Sequence, residues 1–419
     1  MKRGTKLLYK KIFAGLLGGG MLFMPNWSYA LPSGGQVVTN NGTITAGGKV
    51  MDITGSGNVA IDWNSFNIAA DEIVNFKNMQ AVLNYVSGGS KSEIFGKLNG
   101  AGVNVFLVNP NGILFGKTAQ VNVGQLTAST RSLEKAALNS FNGSLSPLDA
   151  GGAANVKADI INLGKLKAGK LVLEGNNLSI IGADSLEVAD KSKITLRAGE
   201  NINIGYEVTD KTTIDVGDGK RNTHQVSDYG KGGGDKASDV LSTASVTDLK
   251  GSAKSINDAM LVHDVYELQA IDRNTGTING SSYVVGNYML TGDIDAGDTK
   301  NWNSGRGFDP IGRLNRTGNG VTGSFSGAFD GMGHSIQNLY IRQIGNQYDG
   351  YIGLFEGIGK GGSVGNVNMA GGHIEGMSNF GSIAGLNWGT IYNIVNSAEL
   401  VCSSCLLYTS PSPRDGATS

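Results

Sequence analysis

The chain has 419 residues, a formal net charge of −1, 65 glycines and only 7% aromatic residues. This length is too great for one small core and predicts several domains or a solenoid. The near-neutral charge gives no electrostatic basis for a nucleic-acid partner. Glycine at about twice its usual frequency predicts many short strands and tight turns and argues against a collapsed helical core.

The N-terminal stretch, 1–30, has the composition of a secretory signal peptide. An apolar, glycine-rich run spans residues 12–24, and Ser28-Tyr29-Ala30 ends in a small residue suited to signal-peptidase cleavage. The run is short for a membrane-spanning helix, although a retained anchor helix is the alternative. Five basic residues precede it: Lys2, Arg3, Lys6, Lys10 and Lys11. Their removal leaves 29 basic against 35 acidic residues, so the expected exported chain has a net charge of −6.

Residues 103–116 predict two apolar strands joined by one tight turn, Asn109-Pro110-Asn111-Gly112. Asn109 begins the turn with a side chain that can bond its own backbone, and Pro110 fixes φ at the second position. Asn111 tolerates a strained backbone at the third position, and Gly112 closes the turn. Turns of this kind are common between strands, so the motif alone indicates structure and not function.

Five blocks around this turn give the sequence a family resemblance. They are residues 60–68, 74–76, 81–84, 92–98 and 121–130. In this order and spacing they resemble the secretion domain of two-partner-secretion exoproteins, the filamentous-haemagglutinin-like family, over residues 34–205. Tyr85 departs from the pattern, because the family usually places Arg after the Leu-Asn pair.

The resemblance implies a function in export. It implies that an outer-membrane β-barrel transporter captures the domain in the periplasm, and that the residues Asn109, Pro110, Asn111 and Gly112 serve as a secretion motif. It also implies a secreted, adhesin- or haemagglutinin-like protein at the cell surface. The receptor on host cells or glycans cannot be read from the sequence.

An internal repeat follows the turn region. Lys170-Leu171-Val172-Leu173 recurs at 193–196 with an offset of 23, and Asn177-Leu178-Ser179-Ile180 recurs at 201–204 with an offset of 24. Two short strands per repeat are typical of coils that stack as parallel strands about 4.8 Å apart. A propeller blade would need four longer antiparallel strands per repeat. Residues 31–205 are therefore predicted to form an all-β, right-handed parallel β-helix, a solenoid with N-terminal capping strands.

Two stretches interrupt this pattern. Residues 131–155 are polar and small, with one or two helical turns expected at 133–138, and we interpret them as an excursion from the scaffold. Residues 206–260 are rich in Asp, Lys, Ser and Gly and poor in apolar residues, which predicts a polar insertion or linker.

Residues 261–400 carry a second, glycine-rich array. Ser335-Ile336-Gln337-Asn338-Leu339 returns at 363–367 with an offset of 28, and again at 390–394 with an offset of 27. Each copy contains one asparagine, so the asparagines of stacked coils are expected to form a ladder. Gly353-Leu354-Phe355 and its glycine-rich surroundings resemble the Gly-Leu-Phe/Gly repeats of bacterial surface proteins. We interpret the chain as the N-terminal part of a larger exoprotein.

Residues 401–419 continue no repeat and contain both cysteines, Cys402 and Cys405. A single C-x-x-C pair without a nearby histidine is weak evidence for metal or redox chemistry. We expect this stretch to be a non-native tail derived from sequence assembly, with a natural disordered tail as the alternative.

The sequence predicts no catalytic residue, cofactor or metal site. The four histidines are scattered without metal-ligand spacing: His224, His263, His334 and His373. Asp293, Asp295 and Asp298 lack the calcium-loop pattern and predict a solvated turn. Some lyases and hydrolases are β-helical, so a carbohydrate-active enzyme remains the alternative from another class. Within the same family, a cytolysin or the stem of a contact-dependent toxin remains open. The dispersed aspartates offer no acid–base pair, which favours a non-enzymatic protein.

Overall fold

Short strands make up most of the computed structural model, which describes residues 31–146, 155–218, 223–317, 320–343 and 351–403. The predicted signal peptide, residues 1–30, lies outside the described residues, as does the predicted tail from residue 404 onwards, with Cys405. No helix in the described ranges is long and apolar enough to cross a membrane.

The strands are numbered in chain order. Up to residue 129 they are β1 Gln36–Val37, β2 Gly42–Gly47, β3 Val50–Gly55, β4 Asn58–Trp63, β5 Ile73–Lys77, β6 Ala81–Val86, β7 Ser92–Ile94, β8 Lys97–Val108, β9 Ile113–Phe115 and β10 Gln120–Ser129. From residue 160 to residue 262 they are β11 Ile160–Asn162, β12 Lys165–Gly175, β13 Leu178–Ile180, β14 Leu186–Glu187, β15 Ile194–Ala198, β16 Ile202–Tyr206, β17 Lys211–Ile214, β18 His224–Ser227, β19 Ser245–Thr247 and β20 Asn257–Val262.

The C-terminal strands are β21 Thr275–Ile278, β22 Ser281–Val284, β23 Asn287–Leu290, β24 Ile294–Asp295, β25 Asn315–Thr317, β26 Gly320–Phe325, β27 Ala328–Asp330, β28 Ser335–Gln337, β29 Tyr340–Arg342, β30 Phe355–Ile358, β31 Ser363–Ala370, β32 His373–Gly376, β33 Ala384–Asn387, β34 Thr390–Asn396 and β35 Glu399–Cys402. The short α-helices of the described residues are α1 Lys135–Asn139, α2 Ala237–Val240 and α3 Val265–Ala270. Short 3-10 helices span Ala183–Ser185, Lys191–Lys193, Ile271–Arg273 and Gly297–Gly305, the last with a kink at Trp302–Ser304.

Two sheets of mainly parallel strands form the body of the molecule. Sheet A contains, in spatial order, β1, β4, β6, β8, β10, β12, β15 and β19. Sheet B runs from β7 through β9, β11, β13, β16, β20, β23 and β27 to β31. Up to β19, successive coils contribute to both sheets; beyond it, strands β21, β22, β26, β30 and β33 form a separate sheet. The chain is the all-β parallel β-helix that the repeats predict.

Apolar side chains at equivalent coil positions stack into buried columns. Leu171 pairs with Ile194 and Leu178 with Ile202, the registers that the offsets of 23 and 24 predict. Alternate residues of a strand face opposite sides of the sheet, so every second residue points into the core. Because paired strands are in register, each core residue lies directly above its counterpart in the next coil. One column crosses sheet A: Val59, Val82, Val105, Leu126, Leu171 and Ile194. Burial contributes roughly 1.5–3 kcal/mol for each such side chain, which makes the columns the main source of stability.

Antiparallel strands cap the first coil, as predicted. β1 pairs antiparallel with β4, and β2 and β3 form an antiparallel hairpin. Leu31, Val37 and Ile44 pack against the buried core from this end. Inside a solenoid, each coil covers the apolar surface of its neighbour. The first coil has no preceding neighbour, and the cap covers its apolar surface instead.

The predicted excursion crosses the outer face of sheet A. Its helix α1 begins within the range where one or two helical turns are expected and extends one residue beyond it, to Asn139. Leu138 and Phe141 bury Ala60 and Leu83 on the outward side of the sheet. Arg131 anchors the excursion, because its guanidinium donates two hydrogen bonds of 2.7 Å to the buried carboxylate of Glu174 on β12.

The stretch 206–260, for which composition predicts a polar insertion or linker, contains regular structure. β17 and β18 form an antiparallel hairpin, and α2 follows. β19 then pairs with β15 in sheet A, and β20 pairs with β16 in sheet B. Sheet A thus ends at β19 within this stretch, whereas sheet B continues beyond it through β23.

The second array stacks differently from its predicted register. The offset of 27 predicts the register correctly, since Val364 pairs with Ile391 and Asn393 Nδ2 donates to Asn366 Oδ1 at 3.0 Å. The offset of 28 is wrong, because Ile336 pairs with Met369 instead of Val364. Strand β27, which precedes the first copy in the chain, takes the place beside Val364, where Phe329 is its partner. Each repeat asparagine adopts a left-handed backbone conformation: Asn338, Asn366 and Asn393.

Candidate functional site

The predicted turn lies between β8 and β9, at a corner of the coil. The Gly112 amide donates to the Asn109 carbonyl at 3.1 Å, which closes a four-residue turn. The Asn111 amide donates to Asn109 Oδ1 at 2.9 Å, so Asn109 bonds the backbone two residues on, as predicted. Asn111, expected to tolerate a strained backbone, does not adopt a positive φ. Gly112 has φ +111°, where a side chain would be strained, so the glycine absorbs the left-handed conformation.

The two asparagines of the motif differ in burial. Asn109 is fully buried, and its Nδ2 donates to the Ser90 carbonyl and to Ser92 Oγ, both at 3.0 Å. Its backbone amide donates to the Ser129 carbonyl at 3.0 Å. Every polar atom of this side chain therefore has a partner within the coils, which fixes the turn on its scaffold.

Asn111 is exposed at the tip of the same turn. Its Nδ2 donates to the Gly88 carbonyl at 2.7 Å, which orients the side chain across the corner of the preceding coil. Pro110 is half-buried beside it. The arrangement holds Asn111 in a fixed orientation toward solvent, since Asn109 anchors the turn from below.

A polar cleft of about 550 Å³ opens next to the turn. One wall carries Asn111, Lys91 and Lys157, and the other carries Asn366 and Asn393 of the second array. Asp159 connects the two parts of the chain that line the cleft. Its carboxylate accepts from the Asn177 backbone amide at 3.0 Å and from Asn393 Nδ2, in the second array, at 3.4 Å. Burial raises the pKa of Asp159, and the nearby Asp330 adds to that rise, although the bonds from Asn177 oppose it.

Tyr85, the departure from the family pattern, lies on the outward side of β6. Its Oη accepts a long hydrogen bond of 3.5 Å from the backbone amide of Leu133, within the excursion. The ring packs with the apolar cluster beneath α1. Tyr85 therefore contacts the excursion and not the turn.

Two of the aspartates considered as cation ligands bond backbone amides. Asp293 accepts from the Ser335 amide at 2.8 Å, and Asp295 from the Gly297 amide at 3.0 Å. Each carboxylate thus bonds a backbone amide in its own surroundings. Within the described ranges, no group of three or more His, Cys, Asp or Glu side chains could hold a metal ion.

One charged cluster escaped the sequence reasoning. His263 lies between two carboxylates, with Nδ1 2.8 Å from Glu267 Oε2 and Nε2 3.1 Å from Glu207 Oε1. Burial would raise the pKa of Glu267, but hydrogen bonds from His263 and Ser227 lower it to about 2. The bond to Glu267 raises the pKa of His263 above 6.5. The four-residue spacing at the start of α3 could have indicated His263 with Glu267, but nothing in the sequence pairs them with Glu207.

Comparison with known proteins gives matches over the same region. Residues 28–295 match the family model described as the TPS secretion domain. Halomucin of Haloquadratum walsbyi is 28% identical over 282 residues, which cover 67% of this chain and 3% of that protein. A heme/hemopexin-binding protein of Haemophilus influenzae is 33% identical over 177 residues, covering 41% of this chain and 19% of the relative. The chain thus spans less than a fifth of the length of these relatives.

One solved structure is similar over most of its length. The crystal structure of the HMW1 secretion domain from Haemophilus influenzae has 15% sequence identity and a TM-score of 0.28. The match covers 88% of this chain and 84% of that one.

Proposed function

Because residues 28–295 match the TPS secretion domain, this chain belongs to the two-partner-secretion family, and we propose that its Asn109–Gly112 turn presents the protein to its outer-membrane transporter. Membership makes the protein a secreted exoprotein with an outer-membrane transporter as partner. Residues Asn109 to Gly112 are the proposed contact with the transporter, and adhesion is the proposed role of the exported protein.

The geometry of the turn carries this proposal. Asn109 is fully buried and bonded on all sides, whereas Asn111 is exposed and oriented by bonds from its Nδ2 to the Gly88 carbonyl and to Asn109 Oδ1. A side chain that is fixed in direction loses little conformational entropy when a partner binds it. The corner therefore offers a partner a preorganised amide and proline on a rigid β-helix.

The exported protein is proposed to act as an adhesin or haemagglutinin-like surface protein, without enzymatic activity. The resemblance to filamentous-haemagglutinin-like exoproteins favours recognition over hydrolysis, although Asp218 and Asp298 line one cleft of about 460 Å³. Binding of heme or hemopexin is the second candidate, because two relatives bear the name heme/hemopexin-binding protein. These relatives are 33% and 41% identical over the matched residues.

Secretion in a bacterial host tests the export step. The full chain is expressed with and without its cognate outer-membrane transporter, and the extracellular and periplasmic fractions are compared. We expect extracellular protein only when the transporter is present. Equal release without the transporter would contradict the proposal.

A binding assay tests the role of the exported protein. Secreted chain is applied to erythrocytes and epithelial cells, and in parallel to immobilised hemopexin with and without heme. Retention on cells together with no binding to hemopexin supports the adhesin, and the reverse pattern supports the second candidate. Release of reducing ends from polysaccharides would favour an enzyme over both.

A further inference from the structure

The cleft that contains Asp218 and Asp298 lies where two segments of the chain meet. Asp218 comes from the segment after β17, whereas Asp298 and Lys300 come from the kinked 3-10 helix Gly297–Gly305. The Asn303 amide of this helix donates to the Val216 carbonyl at 3.1 Å, which joins the two segments. The volume of about 460 Å³ is within the range of small-molecule sites. We call this cleft the first subsite.

Stacked aromatic rings form one side of the first subsite. Tyr266 and Trp302 both line it, with their ring centroids 5.2 Å apart and an interplanar angle of 29°. His224 stacks on Tyr266 at 3.8 Å, and Phe308 stacks on Trp302 at 6.3 Å. Trp302 is buried and Tyr266 is half-buried, so neighbouring rings hold both in place. A ligand that packs on fixed rings gains apolar contact with little loss of side-chain entropy.

Several polar groups of the first subsite have no partner within the described part of the chain. The phenol O–H of Tyr266 and the indole N–H of Trp302 form no hydrogen bond there. The exposed side chains of Asp298 and Lys300 form no hydrogen bond or ion pair there either. Burial raises the pKa of Tyr266, and Asp298 and Asp218 add to that rise, so the phenol keeps its proton as a donor. A polar ligand would therefore find both donors and acceptors beside the aromatic rings.

A second cleft, of about 480 Å³, continues from the first, and we call it the second subsite. Asp298 and Lys300 line both clefts and so stand at their junction. Tyr340 lines the second subsite and stacks on His373, with ring centroids 5.4 Å apart. Asn338 lies beside them. Each subsite thus combines an aromatic ring with carboxylate and amide side chains, and the two form one groove for a ligand of at least two linked units.

The chemistry of the groove matches a sugar chain. Carboxylate, amide and phenol groups exchange hydrogen bonds with hydroxyl groups, and aromatic rings pack against apolar C–H groups. Among the acidic and basic side chains that line the groove, Asp218, Asp295 and Asp298 outnumber the single lysine. The negative balance disfavours sialylated or sulfated sugars. Lys300 at the junction would repel the cations of a basic peptide.

We propose that the two subsites form a groove that binds an uncharged oligosaccharide of at least two sugar units. The inference rests on the proposed function, since it names the class of receptor through which an adhesin would act. The groove shares no lining residue with the cleft beside the Asn109–Gly112 turn, so glycan binding and export can be lost separately.

A glycan array probed with the secreted chain tests the class of ligand. The array carries neutral galactosyl, mannosyl and N-acetylglucosaminyl oligosaccharides together with sialylated and sulfated ones. The neutral oligosaccharide that binds most strongly is then titrated by calorimetry. Asp298→Ala and Lys300→Ala should each weaken binding at least about tenfold, the effect of losing one charge-assisted hydrogen bond. Tyr266→Phe removes only the phenol O–H and should weaken binding about fivefold.

Two matched control variants lie outside the groove. Asp239→Ala and Lys250→Ala each remove an exposed charge and should leave the affinity unchanged. Asp298 and Lys300 are exposed as well, so their variants should unfold at the wild-type denaturant midpoint. A loss of affinity at an unchanged midpoint then reports on the groove and not on folding.

Three results would overturn the groove. The first is binding to no neutral oligosaccharide, or equally strong binding to sialylated or sulfated ones. The second is the same affinity in the groove variants as in the controls. The third is binding of a lysine-rich peptide, tested in parallel, that Asp298→Ala abolishes, which would assign the groove to a cationic partner.

Cell binding by the same variants separates this inference from the proposed function. Asp298→Ala that loses the oligosaccharide but still binds cells would leave the adhesin intact and overturn the groove as its receptor site. Wild-type chain that binds the oligosaccharide but no cell would instead refute the adhesin and leave the groove intact. Parallel loss of both kinds of binding would support the two proposals together.

Discussion

Replacing the two asparagines of the turn should separate folding from export. Asn109→Ala removes a fully buried amide that makes hydrogen bonds to Ser90, Ser92 and the Asn111 backbone. A typical bond contributes about 1 kcal/mol, and buried partners left unsatisfied cost more, so the loss of stability should be about 3 kcal/mol. This exceeds the roughly 1 kcal/mol expected for an ordinary turn residue.

Asn111→Ala removes two bonds of an exposed side chain, from Nδ2 to the Gly88 carbonyl at 2.7 Å and to Asn109 Oδ1 at 3.2 Å. The free energy of unfolding should fall by less than about 1 kcal/mol. Export with the transporter should nevertheless fall strongly, because the oriented amide at the tip of the turn is lost. Asn109→Ala should lower both quantities together.

The assay compares secreted yield with the unfolding midpoint in guanidinium chloride for the same purified variants. Asn122→Ala is the matched control, since Asn122 is an exposed asparagine on β10 outside the motif. It should leave both quantities unchanged. If Asn111→Ala is exported as well as Asn122→Ala, the turn is structural only, and the reasoning about its exposed amide is refuted.

Three further outcomes are expected. Arg131→Ala should lower the free energy of unfolding by about 3 kcal/mol, because it leaves the carboxylate of Glu174 buried without its principal partner. Arg197→Ala removes a weaker and more exposed contact to Glu174. It should lower the free energy of unfolding far less in the same denaturant titration. The raised pKa of His263 means that its stabilising charge is fully present below pH 6.5 and is lost as the pH rises through the folded pKa. The melting temperature should therefore fall across that interval, and His263→Gln should flatten the profile; an equal fall in the variant would contradict this. Reducing-end assays on a polysaccharide panel should detect no cleavage, and Asp309→Ala should leave cell binding unchanged.

Periodicity predicted the parts of the fold that depend on neighbouring coils. Leu171 and Ile194 share a register because each coil repeats the apolar positions of the one before it. The same reasoning failed for Ser335, which pairs with Asn368, because β27, just before the first copy, pairs with the start of β31 and displaces the register. A repeat length predicts stacking only where every turn of the chain forms one coil.

The sequence pattern did not predict contacts between residues of coils that are not neighbours. Ser179 and Asp330 meet because of sheet curvature, which accumulates over several strands and has no local signature. The turn residues were predicted from local stereochemistry, but the burial of Asn109 and the exposure of Asn111 were not. That difference depends on which side of the coil corner each side chain occupies, and only the three-dimensional arrangement determines it.

The clamp between Arg131 and Glu174 makes the first coils mechanically interdependent. A solenoid in which each coil touches only its neighbours should come apart one coil at a time. Here the excursion packs across β4, β6 and β8, and Arg131 links it to Glu174 on β12. The excursion therefore holds these coils together as one unit. Under tension from the C-terminal end, coils beyond β12 can peel off singly, whereas those beneath the excursion should hold until Glu174 is pulled away and then release together.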